Sequence, residues 1–281
     1  MTVEFVHDIH DQRLAPFAGM RDAQLRGDEG AGAGLFIGES DKVINRALDA
    51  GVRPACLFME QKWVPKTQAL IDRISALDPT VPILTTDKDT FKQITGYEVT
   101  RGAVAALIRP ELPAIDAVLK DAKRIVVLED VMNATNIGAI FRSAAALGID
   151  AVLLSPRCHD PLYRRAARVS MGTIFQVPWT RIGTEEEGSG WVAESIPLLK
   201  DHGFTTIAMA LVPEALPLDD PRLADHEKIA LIMGTEAWGL NDATVKTSDY
   251  AAIIPMTHNV DSLNVAAASA VAFWELRIRE Q

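Results

Sequence analysis

Arg142 stands among small and apolar residues, in the stretch Asn133-Ala134-Thr135-Asn136-Ile137-Gly138-Ala139-Ile140-Phe141-Arg142-Ser143-Ala144. An arginine in such company is either paired or presented to an anionic ligand, because its guanidinium stays charged and offers a planar fork of donors. Asn136 precedes it by about one and two-thirds helical turns, so the two do not strictly share a face. Asn133 and Thr135 also read as helix caps. A second cluster, Ile232-Met233-Gly234-Thr235-Glu236-Ala237-Trp238-Gly239-Leu240, closes an apolar run. Ligands of open α/β sheets bind at the carboxyl ends of strands, and Gly234 allows the backbone to approach one closely. The glycines equally suit a plain turn, and their spacing is not that of a dinucleotide site. The third cluster runs from Ile254-Pro255-Met256 through a polar loop to Ser262-Leu263-Asn264-Val265-Ala266. Its donors at a helix start can hold a polar ligand or simply cap the helix. Cys158-His159-Asp160 is read as no metal site, since adjacent side chains rarely converge on one ion.

These clusters need a frame, and the hydrophobic pattern supplies two α/β series. In the first, strands are expected at Leu35–Ile37, Ala55–Phe58, Ile83–Thr85 and Ala103–Ile108, with helices at Glu39–Ala50, Thr67–Leu77 and Asp87–Thr95. Arg109-Pro110-Glu111-Leu112-Pro113 then interrupts helix and strand alike, which divides the chain into domains 1–112 and 113–281. In the second series Ile125–Leu128 is an uninterrupted apolar run, as in a strand buried on both faces. Further strands are expected at Ala151–Leu154, Thr205–Met209, Lys228–Met233 and Tyr250–Ile254. Helices are expected at Asn136–Leu147, Tyr163–Val169, Trp191–His202 and Ser262–Arg279, with an acidic loop over Thr184–Gly190.

The chain has 281 residues, 48% of them apolar and 23% charged, as in globular proteins. No apolar run is long enough to span a membrane, and the N-terminal residues lack a signal core, so a cytoplasmic protein is expected. The two cysteines, Cys56 and Cys158, fit buried thiols better than a disulfide. A net charge of −10 argues against nucleic acid as a partner, but binding depends on local charge. Residues 157–168 carry Arg157, Arg164, Arg165 and Arg168 against the single acid Asp160, an excess that suits phosphate contact or a solvated face of paired arginines.

Taken in order, the clusters make the chain from Leu128 to Ile278 closely resemble the SpoU (TrmH) branch of the SPOUT methyltransferases. Asn136–Arg142 is similar to the first motif of that family, Gly234-Thr235-Glu236 with Gly239-Leu240 to the second, and Ile254-Pro255-Met256 with Ser262–Ala266 to the third. No motif position used for chemistry departs from the pattern. Gly34-Leu35-Phe36-Ile37-Gly38-Glu39, followed by Val43 and Ala47, is similar to the L30e-like substrate-binding domain often fused to these enzymes, although Glu39-Ser40-Asp41 is acidic for an RNA contact.

The resemblance implies an α/β catalytic domain with a deep trefoil knot, a rare exception to unknotted connections, preceded by a smaller L30e-like domain. It implies transfer of a methyl group from S-adenosylmethionine to a ribose 2′-hydroxyl in RNA, with ribosomal RNA favoured slightly over transfer RNA, and a homodimer. The cofactor would lie against Met209, Ala210, Gly234, Ile254, Met256 and Leu263. Arg142 would act on the hydroxyl as general base or as electrostatic stabiliser. Asn136 would orient Arg142 or the ribose, Glu236 would anchor a loop or Arg142, and Ser262 and Asn264 would shape the pocket. Arg164, Arg165 and Arg168 would serve RNA phosphate. A non-catalytic RNA-binding protein on the same scaffold is the alternative. Its mark would be loss of Arg142, Asn136 or Asn264, and all three are present.

Overall fold

The computed structural model describes residues 3–18, 22–27, 34–96, 102–184, 190–235, 238–258 and 260–278. Along the first part run β1 (Glu4–Phe5), α1 (Asp22–Arg26), β2 (Leu35–Glu39), α2 (Asp41–Asp49), β3 (Pro54–Glu60), α3 (Val64–Leu77), β4 (Ile83–Thr86), α4 (Lys88–Thr95) and β5 (Val104–Ile108). Then come α5 (Ile115–Leu119), β6 (Arg124–Leu128), α6 (Ala134–Ala146), β7 (Ala151–Leu154), α7 (Arg164–Val169), β8 (Trp179–Arg181) and α8 (Gly190–Asp201). The last part holds β9 (Thr205–Met209), β10 (Leu216–Pro217), α9 (Pro221–Ala224), β11 (Ile229–Met233), α10 (Asp242–Thr247), β12 (Tyr250–Ile253) and α11 (Val265–Leu276).

Two compact units result. One comprises Met1–Glu111 with Leu162–Phe175, the other Leu112–Pro161 with Gln176–Gln281. The first holds a five-stranded mixed sheet in the order β1-β4-β3-β5-β2, with β2 and β5 antiparallel. Its β2 extends through Glu39, where a helix start was expected. Ser40, at φ 83°, makes the turn into α2, whose Val43, Ile44, Ala47 and Leu48 are buried. The segment Leu162–Phe175 packs with this unit for an electrostatic reason. Glu39 is buried, and a buried carboxylate requires a counter-charge. Arg164 and Arg168 of α7 supply it, at 3.2 and 3.1 Å. Arg46 of α2 donates to the Met171 carbonyl at 2.9 Å, and Phe175 packs on Phe36.

The second unit holds a seven-stranded, all-parallel sheet in the order β10-β12-β9-β11-β6-β7-β8. The apolar runs of β6 and β11 lie side by side at its centre, Ile125 opposite Ala230 and Leu128 opposite Met233, and every residue of both is buried. On one face Ile125, Val127 and Ile232 pack with Val118 and Leu119 of α5 and Ile196 and Leu199 of α8. Alternation turns Val126 and Leu128 to the opposite face. The helices α6 and α11 pack on each other. The short strands β8 and β10 and the short helices α5, α9 and α10 were not expected.

Arg124, at the first position of β6, is almost fully buried. Its Nε donates to the Leu276 carbonyl at 2.7 Å, and its terminal nitrogens donate to the carbonyls of Glu227 at 2.7 Å and His226 at 3.1 Å. One guanidinium thus ties the end of α11 to the amino ends of β6 and β11. Both cysteines are free and buried, and burial pushes their thiols up, Cys56 to about 12 and Cys158 to about 11. No helix of the described residues is long and apolar enough to cross a membrane.

Candidate active site

The carboxyl ends of β9, β11 and β12 surround a cavity of about 440 Å³. All six residues expected to hold a cofactor line it: Met209 and Ala210 after β9, Gly234 after β11, Ile254 and Met256 after β12, and Leu263 before α11. Ser262 lines it as well. The walls are mainly apolar, and among the described residues the charged side chains of the lining are two carboxylates, Asp242 and Asp261. A pocket of this size with acidic groups and, among the described residues, no lining lysine, arginine or histidine suits a medium-sized ligand carrying positive charge.

The loop that follows β11 is held from both sides. At Gly234 an added Cβ would come within 2.5 Å of the Gly239 backbone and 2.6 Å of the Leu240 nitrogen, so only glycine fits. The close approach that the sequence reserved for a ligand is therefore also an approach of the loop to itself. Gly239, at φ 68°, closes the turn by donating its N–H to the Thr235 carbonyl at 3.0 Å. Glu129, one residue beyond β6, fixes the far side. Its buried carboxylate accepts from the Asn241 N–H at 2.6 Å and from the Thr244 hydroxyl at 2.5 Å. Burial raises its pKa, and these two hydrogen bonds oppose the rise only in part. Glu129 was not singled out in the sequence, although a carboxylate directly after the Ile125–Leu128 run was a usable signal. Glu236 lies outside the described residues.

The first and third motifs meet through two asparagines. Asn133 caps α6, its side-chain oxygen accepting from the N–H groups of Thr135 at 2.8 Å and Asn136 at 3.3 Å. Asn264 caps α11 by accepting from Ala266 N–H at 3.0 Å. The Asn264 amide also donates to the Asn136 side-chain oxygen at 3.2 Å. Asn136 is buried and turned to Asn264, whereas Arg142 is exposed and makes no hydrogen bond or ion pair among the described residues. Arg142 is presented outward, with its donors available to an anion. Arg164 and Arg168 are engaged by Glu39, and Arg165 of the same helix is exposed. Among the described residues no group of three histidine, cysteine or acidic side chains is placed to hold a metal ion.

A sequence profile of the SpoU rRNA methylase family matches residues 123–274, which hold every residue of the cavity and both asparagines. The chain belongs to the SpoU rRNA methylase family. Within the SPOUT superfamily it is an RNA methyltransferase. An uncharacterized tRNA/rRNA methyltransferase of Mycobacterium tuberculosis is 36% identical over 98% of this chain and 92% of its own length. The 23S rRNA (guanosine(2553)-2′-O)-methyltransferase RlmP of Bacillus subtilis is 25% identical over 86% of this chain and 88% of its own. An rRNA methyltransferase from Sinorhizobium meliloti, solved with S-adenosylmethionine bound, matches the fold with a TM-score of 0.78 at 20% identity, over 98% of this chain and 97% of that one. The match spans both compact units of this SpoU family member.

Proposed function

We propose that the chain methylates a ribose 2′-hydroxyl of large-subunit ribosomal RNA, holding S-adenosylmethionine in the cavity at the carboxyl ends of β9, β11 and β12. The observation that carries this reading is the cavity itself. The second and third motifs line it, its lining charges among the described residues are two carboxylates, and Asn264 joins it to the helix that carries Arg142. When bound, the cofactor supplies an electrophilic methyl group on a positively charged sulfur. Asp242 and Asp261 favour that charge, and Met209, Ile254 and Leu263 offer apolar contact to the rest of the molecule. Glu129 and Gly234 keep the loop in place.

A 2′-hydroxyl is a poor nucleophile that must be aligned and relieved of developing negative charge. A guanidinium resists deprotonation, its pKa lying above about 12. We therefore assign Arg142 to the phosphate beside the reacting ribose and to the developing alkoxide, rather than to proton removal. Asn136 acts as a positioning residue, holding the start of α6 against Asn264. Arg165 serves RNA phosphate, while Arg164 and Arg168 neutralise Glu39 within the first unit and so make its acidic turn compatible with RNA. The threaded C-terminal segment belongs to the same proposal, with Arg124 locking its end. So does the homodimer. Ala267, Val271, Trp274 and Ile278 are exposed along one stripe of α11 and its extension, an apolar face that a second copy would cover.

Methyl transfer from labelled S-adenosylmethionine to large-subunit ribosomal RNA and to bulk transfer RNA, followed by nucleoside analysis, tests this reading. A 2′-O-methylated nucleoside from the ribosomal RNA is expected. Label recovered in a base, or no transfer by a protein that binds RNA, would overturn it.

A further inference from the structure

We propose that Trp238 is a stacking platform for a nucleobase of the RNA substrate, placed at the mouth of the cavity beside the ribose to be methylated. The inference rests on reading the cavity as the cofactor site. Trp238 is 88% exposed, although an indole has more apolar surface to hide than any other side chain. It nevertheless borders the cavity, and its turn is closed by the Thr235–Gly239 bridge. Leu211, at 67% exposure, borders the same cavity from the segment after β9. Met132, at 60%, follows β6, which lies beside β11. Three neighbouring strands, β9, β11 and β6, thus each continue into an exposed apolar side chain on the carboxyl side of the sheet.

The chemistry of the reaction selects the occupant. For transfer, the ribose oxygen must come to about 3–3.5 Å from the methyl carbon, so RNA has to cover the mouth of this cavity. Asp242 and Asp261 border it and repel phosphate. The nucleotides there must present base faces to the lip and turn their backbone away, toward cations such as Arg142. An exposed indole is the side chain best suited to a base face, and stacking of this kind tolerates any base.

The test uses the full-length protein with Trp238→Ala, Trp238→Phe and Trp238→Leu. Cofactor affinity is read by calorimetry, and KM and kcat by labelled methyl transfer to purified large-subunit ribosomal RNA. Trp238→Ala should raise KM for RNA roughly 5- to 150-fold, the loss expected for one stacked base. Affinity for S-adenosylmethionine should stay within about twofold. Trp238→Phe should keep most of the RNA affinity, and Trp238→Leu should behave like Ala. An unchanged KM in Trp238→Ala overturns the proposal, as does Leu rescuing as well as Phe. A fall in cofactor affinity that tracks KM would make the indole a cover for the cofactor, and a change of oligomeric state by sedimentation would make it a subunit contact; either overturns stacking. Ala210→Trp separates the two readings, because it fills the cavity and should abolish cofactor binding. If Ala210→Trp binds the cofactor normally, the cavity reading falls and the platform with it. If it behaves as expected while Trp238→Ala keeps its KM, stacking alone falls.

Discussion

Strand β6 carries a buried charge at each end, and the two are used differently. At the amino end Arg124 gives its donors to backbone carbonyls of Leu276, Glu227, His226 and Lys123. At the carboxyl end the Glu129 side chain grips the far side of a loop, through Asn241 and Thr244, while the near side of that loop lines a cavity. The amino end is closed by its hydrogen bonds. The carboxyl end is braced but open, as a ligand site requires. A parallel sheet makes this division natural, since its strands all present the same ends to the same edge.

The largest expected effect lies at the open end. Arg142→Ala should lower methyl transfer by about 100- to 1,000-fold, the range seen when a transition-state charge stabiliser is removed. Arg142→Lys should also be poor, because an ammonium cannot reproduce the planar fork. Cofactor affinity and thermal stability should stay near the parent values, as the side chain is exposed and makes no hydrogen bond or ion pair among the described residues. Single-turnover transfer, calorimetry and melting on one preparation measure all three. Parent-like turnover in a stable, cofactor-binding Arg142→Ala protein would remove the residue from the reaction.

The closed end should behave in the opposite sense. Arg124→Met leaves the carbonyls of Leu276, Glu227 and His226 without their donor and should cost about 3 kcal/mol. In a domain of this size that corresponds to a fall in Tm of roughly 6–12 °C. Turnover per folded molecule, measured well below the transition, should be retained. If Arg124→Met melts like the parent, α11 is held by packing alone. If it melts normally and loses turnover, the division between the two ends is wrong.

The same division explains what could be read from the sequence. The Ile125–Leu128 and Lys228–Met233 runs announced the central strands, because burial on both faces leaves an uninterrupted apolar stretch. The cavity residues Gly234, Ile254, Met256, Ser262 and Leu263 were legible through the motifs that contain them. Arg124 and Glu129 stand out in the sequence only as charges flanking an apolar run, because their meaning depends on partners 152 and 115 residues away. Arg164 and Arg168 were visible as a basic cluster, yet their partner Glu39 lies in the other half of the sequence, 125 residues from Arg164. A composition window registers charge but not the distant group that cancels it. The outward display of Arg142 was half legible, through its odd spacing from Asn136. That Asn136 turns instead to Asn264 needed the fold.

The smallest expected effect sharpens the account of Glu129. Its carboxyl is raised above the usual glutamate value of about 4.5, with burial as the leading cause. A raised acid binds its proton more tightly in the folded state than in the unfolded one. Its contribution to stability is therefore complete below the ordinary value and is lost as pH rises through the raised one. Glu129→Gln cannot ionise, so it should lack this dependence. The Tm of the parent minus that of Glu129→Gln should then fall as pH rises from about 4 to 7, by roughly 2–4 °C for each kcal/mol involved. Thr244→Val should steepen the fall, because it removes a hydrogen bond that favours the charged form. Parallel melting curves for parent and Glu129→Gln across that range would mean that Glu129 carries no raised pKa, and that the brace at the open end is as indifferent to pH as the arginine at the closed one.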